Sequence, residues 1–491
     1  MKQQPWLVVT VTLFSIALAL LLGACGPTGG TSAHQAISTP TVAPTSAPTS
    51  TALPTAARGE IVEAVRRSAL PISGSPRDYD VLMDLVGDAQ FVLLGEATHG
   101  TTEFYRERAR ITQRLIKEKG FTAIAVEGDW AEAYRVNRYI RDYPGPAGED
   151  TTPEEALAGF TSFPRWMWAN TEVRELVRWL REYNKKLPPT RPAVGFYGLD
   201  LYNIKGSARA VMSYLGRDDP QAVQQARERY LCALPDLEDV GTTIVDQGAN
   251  GDQTCRERLQ AELDEMQHRA AGVSPWADPV HREELFSTVQ NARVVVDGSA
   301  YLEAPYDGPD SSWNVRDRHM VDTLDALAQQ MSIRGRQAKI VVWAHNTHVG
   351  DARATQFGRD GLENIGQLVR ERHKGDTVLV GFSTFRGSVR AATAWDEPGI
   401  RWDLNQAEPE SDAALFHDTD LGDFLLQLRG TRLEKMFSSP MLQRAVGVIY
   451  SPTTERTTHY FEAELSRQFD ALIYIDRTNA LEPLKWPGQQ K

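Results

Sequence analysis

Residues 91–100 read FVLLGEATHG. Four apolar residues, Phe91 to Leu94, run without a polar break towards Glu96 and His99, with Gly95 and Gly100 beside them. A short, continuous apolar run bounded by glycine suits a strand covered on both faces, as in a parallel sheet. In open parallel sheets, ligands bind beyond the carboxyl ends of the strands. An acid and an imidazole at such an end therefore point to a site.

The pattern recurs. FTAIAVEG (121–128), AVGFYGLD (193–200), KIVVWAHN (339–346), DTVLVGFS (376–383), VGVIYS (446–451) and LIYID (472–476) read as further strands. Amphipathic helices over 104–119 and 171–185 separate the early ones. This alternation predicts an α/β fold, a mostly parallel sheet flanked by helices. Between residues 200 and 339 the strand signals vanish, and 205–234, 253–272 and 281–301 read as helices. They make up a helical insertion, about 203–305, packed over one edge of the sheet.

The strand ends collect reactive groups. The first carries Glu96 and His99, the second Glu127 and Asp129, the third Asp200, and the fourth His345 and His348 around Asn346. Helix 104–119 adds an arginine. Its inward stripe runs Phe104, Arg108, Ile111, Leu115 at helical spacing, so Arg108 stands where an apolar residue belongs. A cation there needs Glu96 or Glu127 as partner, unless it reaches back to solvent. In SSWNVRDRHMVDTL the inward face of Trp313, Met320 and Leu324 also catches Arg316 or Asp317. Asp200, Arg316, Asp317 and Asn346 are thus candidates for holding a substrate.

The 491 residues, 41% hydrophobic and 24% charged, are globular in composition, and a formal net charge of −12 argues against a nucleic-acid partner. The N-terminus is different. Residues 6–22 are apolar and lead into Leu22-Gly23-Ala24-Cys25. This is expected to be a lipoprotein signal peptide (1–25) ending in a lipobox, with Cys25 lipidated. A plain transmembrane anchor is the alternative. Residues 26–57, rich in Thr, Ser, Pro and Ala, read as a disordered tether. The folded part, 58–491, would then sit outside the cytoplasm, lipid-anchored to the cell membrane. In that compartment Cys232 and Cys255 are expected to form a disulfide worth roughly 3 kcal/mol, two free thiols being the alternative.

No G-x-S-x-G, G-x-x-x-x-G-K-[ST], H-E-x-x-H or C-x-x-C is present. Two chemistries use the carboxylates, histidines and arginine that remain. In one, His99 is a general base towards water, oriented by Glu96 or Glu127, while His345, His348 and Arg108 stabilise developing charge. In the other, histidines and glutamates hold a divalent metal that activates the water. A tethered protein that binds its ligand without turnover is a third reading.

GEATHGTTEF, AVEGDWAEAYRVNRYI, RWLREYNKK followed by GFYGLDLY, NVRDRHMVDTL and VVWAHNTHVG resemble the erythromycin esterase family, in that order, over roughly residues 60–475. The resemblance implies an α/β core with a helical portion walling a deep cleft. It also implies a hydrolase that opens esters or macrolide lactones without metal or cofactor. His99 would be its base, with Glu96, Glu127, Arg108, His345 and His348 as the other motif residues. Members acting on macrolides carry phenylalanine directly after the motif histidine. Gly100 stands there in this chain, so the resemblance implies a missing apolar wall.

Overall fold

The computed structural model describes residues 54–485 apart from 146, 147, 149, 238–252, 275, 306, 307 and 333–335. Cys25, the leader and most of the expected tether lie outside the described residues. A helix, Thr55–Ser68, takes in the last three residues of that expected tether.

Eleven strands are described: β1 Leu70–Pro71, β2 Phe91–Leu94, β3 Ala123–Asp129, β4 Gly195–Asp200, β5 Ile340–Trp343, β6 Thr377–Ala391, β7 Ile400–Leu404, β8 Phe424–Gln427, β9 Met441–Arg444, β10 Tyr460–Ala463 and β11 Ala471–Thr478. Nine of them form one sheet in the order β1-β8-β11-β6-β2-β5-β3-β4, with β7 paired to β6. Every neighbour from β11 through β4 is parallel, whereas β1, β7 and β8 pair antiparallel. The fold is therefore a mostly parallel α/β sheet with flanking helices.

Burial on both faces explains the continuous apolar runs. In β2, Val92 and Leu94 enter the core on one face while Phe91 and Leu93 enter the core on the other. In β3, Ile124 and Val126 likewise oppose Ala123 and Ala125. Helix Thr102–Lys119 joins β2 to β3 and stops at Gly120, whose positive φ of 74° suits glycine at a helix end. Helix Thr171–Lys185 is capped by Asn170, which accepts from the Val173 N–H.

Between β4 and β5 lie helices Ile204–Leu215, Pro220–Tyr230, Gln253–Ala271 and Pro279–Glu303, followed by Ser312–Met331. The expected single helix over 205–234 is two, because Asp219 caps a new helix that opens with Pro220. The first four of these helices share a core of their own, including Val211, Tyr230, Leu259, Met266 and Val295, and a disulfide joins Cys232 to Cys255.

The segment 446–451, expected as a strand, makes only the isolated bridges Thr98↔Val446 and Ala392↔Ile449. Its apolar residues line a loop that crosses the strand ends rather than extending the sheet.

Register fixes the site. Leu94 pairs with Trp343, and Val126 pairs with both Trp343 and Gly198, so these residues form one level across β2, β5, β3 and β4. Glu96, His345 and Asp200 each lie two residues beyond that level and Glu127 lies one beyond.

Candidate active site

The chain leaves β2 through Gly95, where a Cβ would overlap the Asn346 side chain. One turn then brings Glu96 and His99 together, with Glu96 Oε1 2.9 Å from His99 Nδ1. Glu96 Oε2 accepts from Arg108 Nη2 at 2.7 Å. The Arg108 guanidinium is wholly buried, 4.4 Å from the Tyr105 ring and 4.7 Å from the Trp343 ring. Paired with Glu96 and flanked by aromatic faces, this cation is tolerable in the core. The carboxylate accepts at Nδ1, so the proton of the neutral imidazole sits there and Nε2 keeps its lone pair.

A second cluster surrounds Glu127. Its Oε2 accepts from the His345 main-chain N–H at 2.8 Å, and its Oε1 accepts from Arg316 Nη2 at 2.8 Å. His348 Nε2 is 3.2 Å from the same oxygen. Arg316 also grips Asp200, Nε to Oδ1 at 2.9 Å and Nη2 to Oδ2 at 2.5 Å. Asp317 lies behind, both its oxygens 2.9 Å from His348 Nδ1, while Trp313 stacks on the His348 ring at 4.4 Å.

The electrostatics follow from this packing. Burial alone would raise the Glu127 carboxyl, but the charges of His348 and Arg316 hold it well below the usual value. Burial and the Arg316 guanidinium, whose Nη1 lies 2.9 Å from Nε2, would strip the proton from His348, yet Asp317 and Glu127 retain it and push the imidazole up to about 9. His345 goes the other way, held well below the usual histidine value by burial and by neighbouring His99. Its Nδ1 accepts from the Thr347 main-chain N–H at 3.3 Å, which places the ring proton on Nε2. That buried Nε2 has no hydrogen-bond partner among the described residues. The His345 and His99 rings are 4.8 Å apart.

Both clusters open on a cleft enclosing about 1070 Å³, part of it open to solvent. His99, Glu127, Asp200, Arg316, His345 and His348 line it. The helices of 204–303 back one wall through Tyr301, whose ring meets Tyr202 edge-on at 5.5 Å.

Four expected site residues do not reach the cleft. Glu96 and Arg108 lie behind His99. Arg108 therefore does not meet substrate charge, its hydrogen bond being spent on Glu96. Asp317 is fully buried between His348 and the Ile365 N–H, so it does not bind substrate directly. Asn346 is structural: its amide donates to the Phe382 carbonyl at 2.7 Å and accepts from the Phe382 N–H at 3.2 Å. Gly100 is not a missing wall either, because a Cβ there would overlap the Arg390 backbone outside the cleft.

The sequence reading overlooked other lining residues. Glu132 sits one helical turn after Asp129, and Phe160, Phe163 and Trp168 come from the aromatic segment FTSFPRWMW. The i, i+3 acidic pair and that aromatic clustering were the available signals. His459 and Tyr460, from the 441–463 hairpin, carried none.

Comparison with known proteins agrees with this architecture. The erythromycin esterase family profile matches residues 116–478. Erythromycin esterase type II of Escherichia coli is 21% identical over 422 residues, covering 82% of this chain and 93% of the relative. Among solved structures, a succinoglycan biosynthesis protein superposes with a TM-score of 0.68 at 21% identity, covering 88% of this chain and all (100%) of its own. An erythromycin esterase mutant in its open conformation gives a TM-score of 0.57 at 16% identity, covering 82% of this chain and 93% of its own. This chain belongs to the erythromycin esterase family.

Proposed function

We propose that the protein hydrolyses carboxylic esters or lactones, macrolactone rings among the candidates, with His99 as the general base. The observation that carries this reading is the Arg108–Glu96–His99 array, which fixes the Nδ1–H tautomer and leaves Nε2 as the basic nitrogen of a residue lining the cleft. Water held at Nε2 loses its proton to the ring as its oxygen attacks the carbonyl carbon. Glu96 stabilises the imidazolium that forms. The oxyanion of the tetrahedral intermediate develops beside His345, the imidazole that lines the cleft next to the His99 ring. Collapse breaks the C–O bond to the leaving group. His99 returns its proton to the departing alkoxide, giving acid and alcohol. Glu127, held ionised by Arg316 and His348, positions His345 through its main-chain N–H.

In this reading the reaction needs no metal, and activity persists in the presence of a chelator. Among the described residues no group of three or more His, Cys, Asp or Glu is arranged to hold a metal ion. The test incubates the purified protein with macrolides and simple esters and follows the addition of water by mass spectrometry. Replacing His99 with Ala lowers turnover of a confirmed substrate by about 10²–10⁴-fold. Undiminished turnover by that variant refutes the assignment.

The leader supports a location as well: the protein is exported and held at the membrane by a lipid on Cys25. Fatty-acid label incorporated by the wild type and absent from Cys25→Ala is the expected result.

A further inference from the structure

The strand that leads to His99 ends at Leu94, so the turn presenting the imidazole lies beyond the sheet and is held from elsewhere. Two main-chain hydrogen bonds tie it to one residue. The His99 N–H donates to the Val446 carbonyl at 3.1 Å, and the Val446 N–H donates to the Ala97 carbonyl at 2.9 Å. Val446 follows β9, which pairs with β10 in a hairpin outside the main sheet. The far end of that hairpin is fixed separately, Leu442 bridging to Ser411 and Ala463 to Thr355. Past Val446 the chain is fixed again, Val448 and Tyr450 bonding to the Ala392 main chain at 2.8 and 3.1 Å. Between these ties lies Arg444.

Its side chain is 2% exposed and reaches back to the main sheet. Nη1 donates to the Thr384 and Phe385 carbonyls of β6, both at 3.2 Å, and Nη2 donates to the Asn405 carbonyl at 2.8 Å. Nε donates to the Tyr460 hydroxyl at 3.1 Å and lies 2.9 Å from Glu455 Oε1. Glu455 Oε2 accepts from the Tyr450 hydroxyl at 2.6 Å. One carboxylate therefore ties both flanks of the loop 445–449, and one guanidinium ties that loop to the sheet. Neither Arg444 nor Glu455 lines the cleft, although Ala445, Gly447, Val448 and Tyr460 do. Substrate contact thus does not account for these two buried charges. A buried ion pair is also weak evidence for stability, because packed apolar residues often replace one without loss. What directed, charge-assisted hydrogen bonds add is a fixed geometry.

We propose that Arg444 and Glu455 are positioning residues for His99: they fix the loop 445–449 on the sheet, and Val446 passes that constraint to the His99 main chain. The proposal rests on the reading of His99 as the base and adds how its turn is held. The test compares Arg444→Met with Arg141→Met in the full-length protein. Arg141 forms another buried ion pair, 2.9 Å from Glu283, and neither residue lines the cleft, so this variant reports the loss of a buried cation alone. On a confirmed ester Arg444→Met is expected to lower kcat about 10²-fold with KM within about threefold, since misplacing a reacting group by about 1 Å costs on that order. Arg141→Met is expected to keep kcat within about twofold. A second readout needs no substrate. In protein with isotope-labelled histidine, the His99 Nδ1–H resonance, hydrogen-bonded to Glu96, is expected to shift or broaden in Arg444→Met and to stay in place in Arg141→Met.

Wild-type kcat in a folded Arg444→Met overturns the proposal, as does an unmoved His99 resonance or an equal loss of kcat in Arg141→Met. Should Arg444→Met fail to fold, Glu455→Gln, which removes the charge and keeps the side chain's shape, carries the same comparison. Full turnover by His99→Ala removes the base reading by itself. In that case, or in a protein that cleaves no ester, the resonance alone decides whether Arg444 holds the ring in place.

Discussion

Replacing His348 with Gln tests whether the buried charge network is wired as described. In the folded protein His348 lies between Asp317 and Glu127, next to Arg316, and holds its proton up to about 9 against an ordinary 6.5. That span of about 2.5 pH units, at about 1.4 kcal/mol each, corresponds to about 3–4 kcal/mol of stability. The sign follows from proton counting. Below about 6.5 both the folded and unfolded chains are protonated and the contribution is complete. Between about 6.5 and 9 only the folded chain keeps the proton, so stability falls as pH rises. The assay is urea unfolding of wild type and His348→Gln at about pH 6 and about pH 9.5, taking the difference at each pH to cancel groups common to both. Wild type should lose about 3–4 kcal/mol more than the variant across that window. Parallel losses in the two proteins would refute the assignment of a charged His348.

Three further outcomes follow from specific contacts. Arg108→Met removes the cation paired with buried Glu96, so denaturant titration should register a loss of about 3–5 kcal/mol, with kcat on a confirmed ester falling because the carboxylate that orients His99 is no longer anchored. Gly100→Ala forces a methyl into the Arg390 backbone, which itself donates to the Gly100 carbonyl at 2.9 Å; a drop of about 1–3 kcal/mol in unfolding free energy is expected, with no effect specific to bulky substrates. Reduction of the Cys232–Cys255 disulfide, across a sequence separation of 23, should lower stability by about 3 kcal/mol in calorimetry with and without reductant.

What the sequence made legible was periodicity. Phe91–Leu94, Ile340–Trp343 and Ala123–Val126 are apolar on both faces, a pattern that strands between two helical layers require. Their register then carried Glu96, Glu127, Asp200 and His345 to one rim. Arg108 was legible for the complementary reason, a charge on an apolar stripe. Periodicity says nothing about direction, which is why Arg108 was expected to face substrate when it faces the back of Glu96. Asn346 misled in the same way: a polar residue between two histidines resembles a ligand group, yet it closes a backbone gap at Phe382. The loop 446–451 has strand composition, but its main chain bonds to Ala97 and His99 across the strand ends. Part of the aromatic wall comes from the clustered segment 160–168, but Tyr202 and Tyr460 join it from distant parts of the chain, and no local pattern announces that convergence.

The helical segment after β4 has a core whose residues belong to neither core beside the sheet. Mutations that remodel it need not loosen the layers that carry the reacting groups, since substitutions at sites without shared neighbours act almost independently. The segment meets the cleft wall where Tyr301 packs on Tyr202. The buttress and the chemistry can therefore diverge at separate evolutionary tempos, and a lineage can acquire a new ligand while keeping the old reaction.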